Sequence, residues 1–388
     1  MQTKISRKNL VLWGLLLLAM LVLSRMKLSV PRYDYVNYWS AGRLNAEGAN
    51  PYDLDQLLTL QHQGGWAENW AIPTWYPPWA LPVLMLFSQF DYSTSRLLWF
   101  LVSVSILVFA IVQSWKMYAG PPRLTWVGLL VGTLFTPTLI SLMLGQASPW
   151  ILLGLMCYLV FITKPRTYWL AGLFAGLTSI KPQLLILFWI ALLFWSIKQK
   201  TWQVIAGSAI TIVAGFLISV SYNRNVIPEY IQSLQSSPPF YLATPTLGYY
   251  LRVMFGFEKS WLQFIPTVIG VGWFLVYWYH KNSKWNWLEE MPVLLFASLI
   301  TAPFTWSHDM MVLTPALIQA TILLLLTRKK WLSLIILLVF TLANIANLVL
   351  HKLLDESYAV WMAPLLLVLY LIARKQKPAV TDLSQELT

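Results

Sequence analysis

LAGLFAGLTSIKPQLLILFWIALLF, residues 170–194, is an apolar run whose only charge is Lys181, followed directly by Pro182. Without that interruption it would read as a membrane-crossing helix, since about twenty apolar residues span a bilayer. Proline inside a helix removes a backbone donor and clashes with the preceding turn, so the helix must kink or break at Lys181. The freed carbonyls then need protein or water partners. A lysine at such a break either snorkels to the interface or holds an anion such as phosphate as a point charge. The run predicts an all-α polytopic membrane protein with at least one broken span.

The composition agrees. Of 388 residues, 58% are hydrophobic and 11% charged, with a mean hydropathy of +0.61, which excludes an ordinary soluble globular class. The 22 Trp and 18 Tyr suit aromatic belts at two interfaces, and much of the +12 formal charge lies in short loops, where Lys and Arg set orientation. No basic run with interleaved aromatics is present, so nucleic acid is not an expected partner. The lone cysteine, Cys157, excludes an internal disulfide. HExxH, CxxC and P-loop motifs are absent, and no stretch is polar enough to fold as a soluble nucleotide-binding domain. Any activated donor must come from the membrane.

Outward from the lysine, residues 1–388 read as one polytopic domain. Residues 10–28 form an expected first span; Arg25, Met26 and Lys27 do not make a signal-peptide cleavage site, and Lys4, Arg7 and Lys8 place its start in the cytoplasm. Residues 29–74 are an outer loop holding Asp34, Glu47, Asp53, Asp55 and Glu68 of the chain's 15 acidic residues. There Tyr35, Tyr38, Trp39, Gly42 and Ala46 recur at helical spacing, with Asn37, Arg43, Asn45 and Glu47 on other faces. This predicts an amphipathic helix in the interface. A second helix is expected over Leu54–Gln63, capped by Asp53 and ended by Gly64 and Gly65. Asp34 stands where an N-cap would, so capping and chemistry are both open to it.

Residues 75–373 hold the remaining spans. Trp75 to Phe90 is short and broken by Pro77, Pro78 and Pro82, hence tilted or re-entrant, and eleven apolar segments follow it. Residues 374–388 read as a cytoplasmic tail. The clusters Lys164/Arg166, Lys198/Lys200, Lys281/Lys284, Arg328 to Lys330 and Arg374 to Lys377 read as cytoplasmic, which closes on about twelve full spans if Trp75 to Phe90 does not cross. Asp34, the Tyr76–Pro78 corner, Gln146, Lys181, His308 and Asp309 then fall at one outer face. Ionisable residues at membrane depth are costly and usually line a cavity, pair, or act on a ligand.

Each has a further reading. The Gln146 amide, after Gly145, can bind sugar hydroxyls or phosphate. His308 can donate to a phosphate or act as acid or base, whereas Asp309 reads as a helix cap. His62, His280 and His351 read as interfacial. Arg224 and Arg252, in the long outer loop, are candidates for an anionic ligand, with solvated surface as the plainer role. Gly172 and Gly176 read as helix packing.

Five pieces in order, DYVNYWSAGRLNAEGANPYD, YPPWALPVL, LGQASPWILLGL, AGLFAGLTSIKPQLLIL and TWSHDMMVLTP, give a chain that resembles glycosyltransferase family 87, over roughly residues 10–330. The family has the GT-C fold and includes mycobacterial mannosyltransferases that extend phosphatidylinositol mannosides. The resemblance implies juxtamembrane helices in the first outer loop and transfer of a sugar from a polyprenyl-phosphate sugar to a glycolipid or cell-envelope glycan. Mannose is favoured, and the reaction lies at the outer face of the cytoplasmic membrane. It implies Asp34 as base, His308 near sugar or phosphate, and Lys181 as the intramembrane lysine. Where the family often has Asn, this chain has Ser148. No cofactor is implied; a divalent ion beside Asp34 is compatible with the chemistry but not required. A flippase or transporter of a lipid-linked sugar is the competing reading, against which stand the one-sided polar points and the lack of an internal repeat.

Overall fold

The computed structural model describes residues 34–376. The expected first span and residues 377–388 of the expected tail lie outside them. Of the described residues, 81% are helical, and none is in a strand. With short 3-10 turns in some of the connections, the chain runs through α1 (Asp34–Ala46), α2 (Leu54–Gln63), α3 (Leu81–Ser88), α4 (Tyr92–Met117), α5 (Thr125–Leu134), α6 (Thr136–Leu144), α7 (Ser148–Phe161), α8 (Tyr168–Leu177) and α9 (Ile186–Gln199). There follow α10 (Trp202–Tyr222), α11 (Val226–Ser236), α12 (Leu247–Phe255), α13 (Ile265–Lys281), α14 (Trp287–Thr301), α15 (Thr314–Leu326), α16 (Lys330–Leu353) and α17 (Met362–Arg374).

Seven helical stretches among the described residues are long and apolar enough to cross a membrane, or eight if α5 and α6, bent by 61°, count as one broken span. Length rather than composition separates this from the about twelve apolar segments of the sequence. Helices α7, α8 and α14 have 14, 10 and 15 residues. At 1.5 Å per residue they reach about 15–23 Å, against about 30 Å of hydrocarbon. The stretch Pro78–Ser88 is shorter than a span as well. Its prolines start a 3-10 turn and then α3, and α3 packs on α1 instead of crossing.

Helix α1 departs from its expected half-exposed, amphipathic character. Ten of its residues, Tyr35 to Gly42 together with Leu44 and Asn45, are buried. Most of its polar face finds partners inside the protein: Asn37 donates to Pro73 O (3.3 Å) and accepts from Thr74 Oγ1 (2.8 Å), and Asn45 donates to Ser219 O (3.4 Å), while Asn45 Oδ1 has no partner among the described residues. Buried amides are tolerated when they find such partners. Helix α2 has the expected bounds, with Asp53 accepting from Asp55 N and Gln56 N and Gly64 closing it. Helices α8 and α10 touch backbone to backbone at Gly172 and Gly207, where an added Cβ would lie 2.2 Å from Val204 O and 2.3 Å from Trp169 O respectively. Gly172 is the packing glycine the sequence suggests.

The 26-residue α4, about 39 Å long, separates two ends of the molecule. At one, Tyr35 and Ser95 hydroxyls meet at 2.5 Å; at the other, Tyr118 donates to Leu288 O (3.2 Å). The second end also gathers basic loops, through Lys198 with Asn282 and Lys281 with Glu290 (3.7 Å).

Candidate active site

At the α1 end, four segments far apart in sequence meet in a buried polar relay. Asp34 opens α1, and its Oδ2 accepts from Gln146 Nε2 at 2.5 Å. Gln146 follows Gly145, which ends α6 at φ 71°, ψ 38°, a left-handed conformation that glycine adopts without strain. A Cβ at Gly145 would also meet Tyr35 Cβ at 2.6 Å. The Gln146 carbonyl oxygen accepts from Lys181 Nζ (3.1 Å) and from Tyr38 OH (2.7 Å). Lys181 Nζ in turn donates to Asp309 Oδ1 at 2.8 Å, an ion pair whose side chains are 7% and 0% exposed.

The break at Lys181 is as expected. The helix passes from α8 through a 3-10 turn to Lys181, at φ −127°, ψ 77°, and resumes through a second turn as α9. A freed carbonyl, Ser179 O, accepts from Trp79 Nε1 (3.0 Å).

Asp309 does more than cap. Its Oδ2 accepts from Trp306 N (3.1 Å), the expected capping role, while Oδ1 serves Lys181 and Ser148 Oγ (2.9 Å). His308 is 4% exposed, and neither ring nitrogen has a hydrogen-bond partner among the described residues. Its ring stacks on Trp306, centroids 6.2 Å apart and 5° from parallel. Buried polar atoms without partners are rare, and a ligand is one explanation of them. Lys181 Nζ lies 5.9 Å from the Tyr76 ring and 5.8 Å from the Trp306 ring.

Tyr38 and Tyr76 hydrogen-bond each other through their hydroxyls. Burial, chiefly, pushes both phenols well above their usual range, and the Asp34 carboxylate adds to it. Both therefore stay protonated at neutral pH and serve as donors, not bases.

Asp34, Tyr76, Gln146, Lys181, His308 and Asp309 thus converge. The two arginines do not join them. Arg252 is buried inside the outer loop, donating to Phe240 O (2.7 Å) and Phe257 O (2.6 and 3.0 Å) with its guanidinium 4.3 Å from the Phe257 ring, so it fixes the loop's shape. Arg224 is exposed beyond the end of α10. Sequence reasoning missed Tyr38 and Ser148 as members. Tyr38 carried one signal, its place four residues after Asp34 on the same helical face.

The sequence model described as glycosyltransferase family 87 matches residues 74–303, more than half of the chain. The match includes Tyr76, Gln146 and Lys181 and stops short of Asp34, His308 and Asp309. No curated protein and no solved structure matches.

Proposed function

Because the chain belongs to glycosyltransferase family 87, and so is a membrane glycosyltransferase, we propose that it moves a sugar, mannose in the first instance, from a polyprenyl-phosphate sugar to an acceptor hydroxyl. The acceptor is a glycolipid or cell-envelope glycan, and the reaction lies at the outer face of the cytoplasmic membrane. The observation that carries this reading is the relay Asp34–Gln146–Lys181–Asp309, which holds a carboxylate and an ammonium on either side of one amide.

In this mechanism Asp34 takes the proton of the acceptor hydroxyl as its oxygen attacks the anomeric carbon. The bond from that carbon to the phosphate oxygen breaks, and polyprenyl phosphate leaves. One displacement inverts the anomeric centre. Lys181 spends two of its three N–H donors on Gln146 and Asp309; the third meets the phosphate, and His308 donates to a phosphate or sugar oxygen. Tyr38 holds the Gln146 amide so that its NH2 faces Asp34. The positive charge comes from Lys181, so no metal is required. The outer-face assignment is supported by the basic loops, which gather at the opposite end of α4 from the relay.

The test is sugar transfer from a panel of polyprenyl-phosphate sugars by purified protein in lipid, wild type against Asp34→Asn. The amide keeps the shape but cannot accept the proton. We expect the folded variant to lose about 100-fold to 10,000-fold in rate, the usual weight of a general base. Equal rates would remove Asp34 from the chemistry. Binding of donor without turnover by either protein would favour a transporter of lipid-linked sugars.

A further inference from the structure

His308 is the least restrained member of the site. Among the described residues no hydrogen bond holds its ring, and its place depends on the backbone that carries it, on the stack with Trp306 and on a 3.8 Å approach of Nε2 to Asp309 Oδ1. That backbone, the 3-10 turn Ser307–Leu313, is fastened at its start by two carboxylates. One is Asp309, on the turn itself, which takes Trp306 N. The other arrives from the far end of the chain: Glu356 Oε2 accepts from Ser307 N at 3.2 Å. Its second oxygen, Oε1, lies 3.0 Å from His351 Nδ1.

Glu356 and His351 sit on either side of the loop between α16 and α17. That loop is itself pinned: Asp355 Oδ1 accepts from Ser357 N (3.0 Å), and Tyr358 OH donates to Asn347 Oδ1 (2.8 Å), one turn before His351. A carboxylate held by a histidine on one oxygen and holding a backbone amide with the other is oriented at both ends. This is the arrangement by which outer partners fix the residues that touch a ligand. None of these residues lies in the stretch matched by the family.

We infer that Glu356, oriented by His351, is a positioning residue that sets the Trp306–Asp309 turn and through it the place of His308. The inference rests on the transferase reading for its kinetic consequence but not for its structural one. Glu356→Ala leaves Ser307 N without its acceptor and lets the turn shift; a displacement of about 1 Å at reacting groups costs about 100-fold. The loss falls on kcat, with KM for the donor little changed, because the lipid tail still binds. In Glu356→Gln the amide oxygen still accepts from Ser307 N, so most of the rate returns.

The experiment has two arms on the full chain in lipid. The protein contains 4 His, so selective 15N-histidine labelling gives a ring spectrum in which each residue can be assigned by substitution. We expect the His308 resonances to move in Glu356→Ala and in His351→Gln, and to stay in Glu229→Gln, a control in the outer loop. Unmoved His308 signals in both variants would overturn the inference. In the second arm, Glu356→Ala is made alone and in a His308→Ala background. A positioning role predicts that it slows wild type by about 10-fold to 100-fold and the His308 variant by less than about 3-fold, since coupled residues are not additive. Multiplying effects would assign Glu356 to general stability and reject the positioning role. If no donor supports transfer by wild type, the transferase reading fails, while the spectra still decide the role of Glu356.

Discussion

At the scale of single residues, the Lys181–Asp309 pair divides stability from chemistry. A buried ion pair is not in itself strongly stabilising, yet removing one partner strands the other charge at a cost of about 3–5 kcal/mol. Lys181→Met is therefore expected to lower the unfolding temperature in detergent and abolish transfer. Adding Asp309→Asn to it, which removes the stranded charge and keeps an acceptor for Trp306 N, should recover most of the unfolding temperature but none of the transfer. A double variant that regained transfer would show that the ammonium has no part in the reaction. The residues legible in the sequence were those that break a pattern. Lys181 splits an apolar run, Gln146 follows a glycine between two apolar helices, and His308 sits at the mouth of one. Tyr38, Ser148 and Glu356 break nothing, because a tyrosine, a serine and an interfacial glutamate are ordinary where they stand. Only three-dimensional proximity distinguishes them.

At the scale of elements, boundaries set by backbone chemistry were readable and the surroundings of an element were not. Asp53 and Gly64 delimit α2 as read, and Pro182 divides α8 from α9. Helix α1 was read as half-exposed because it carries asparagines; it is buried with Pro73, Thr74 and Ser219 as partners for those amides, all but Asn45 Oδ1. No local pattern encodes partners up to 174 residues away. The α8–α10 contact gives a sharper test. At Gly207 a Cβ would stand 2.3 Å from Trp169 O, which is backbone and cannot swing aside. Gly207→Ala should thus force the helices apart and destabilise by about 1–3 kcal/mol, measured as a lowered unfolding temperature. An unchanged value would mean that the two helices are free to separate.

For the whole molecule, orientation follows from charge. The sequence placed its basic loops on alternate connections, and the structure gathers Lys198, Lys281 and Asn282 at the end of α4 remote from the relay. Sidedness can be checked by labelling with a membrane-impermeant maleimide, against a quiet background since the one native cysteine, Cys157, is buried. Glu68→Cys is expected to react in intact cells and Lys284→Cys only after permeabilisation; the reverse pattern would put the relay in the cytoplasm. The number of long helices was less legible, because an apolar segment of ten to fifteen residues reads like a tilted span until its ends are seen. The burial of α1 also bears on how the protein is made. The helix emerges early from the ribosome, but its partners Gln146 and Ser219 are synthesised long afterwards, and Asp309 and Glu356, which complete the site around Lys181 and Ser307, later still. Until then its amides and carboxylate must wait in water at the membrane surface. Assembly of the proposed catalytic centre is for that reason a late, non-local event, and a nascent chain cut off before its final hairpin would carry most of the scaffold without a finished site.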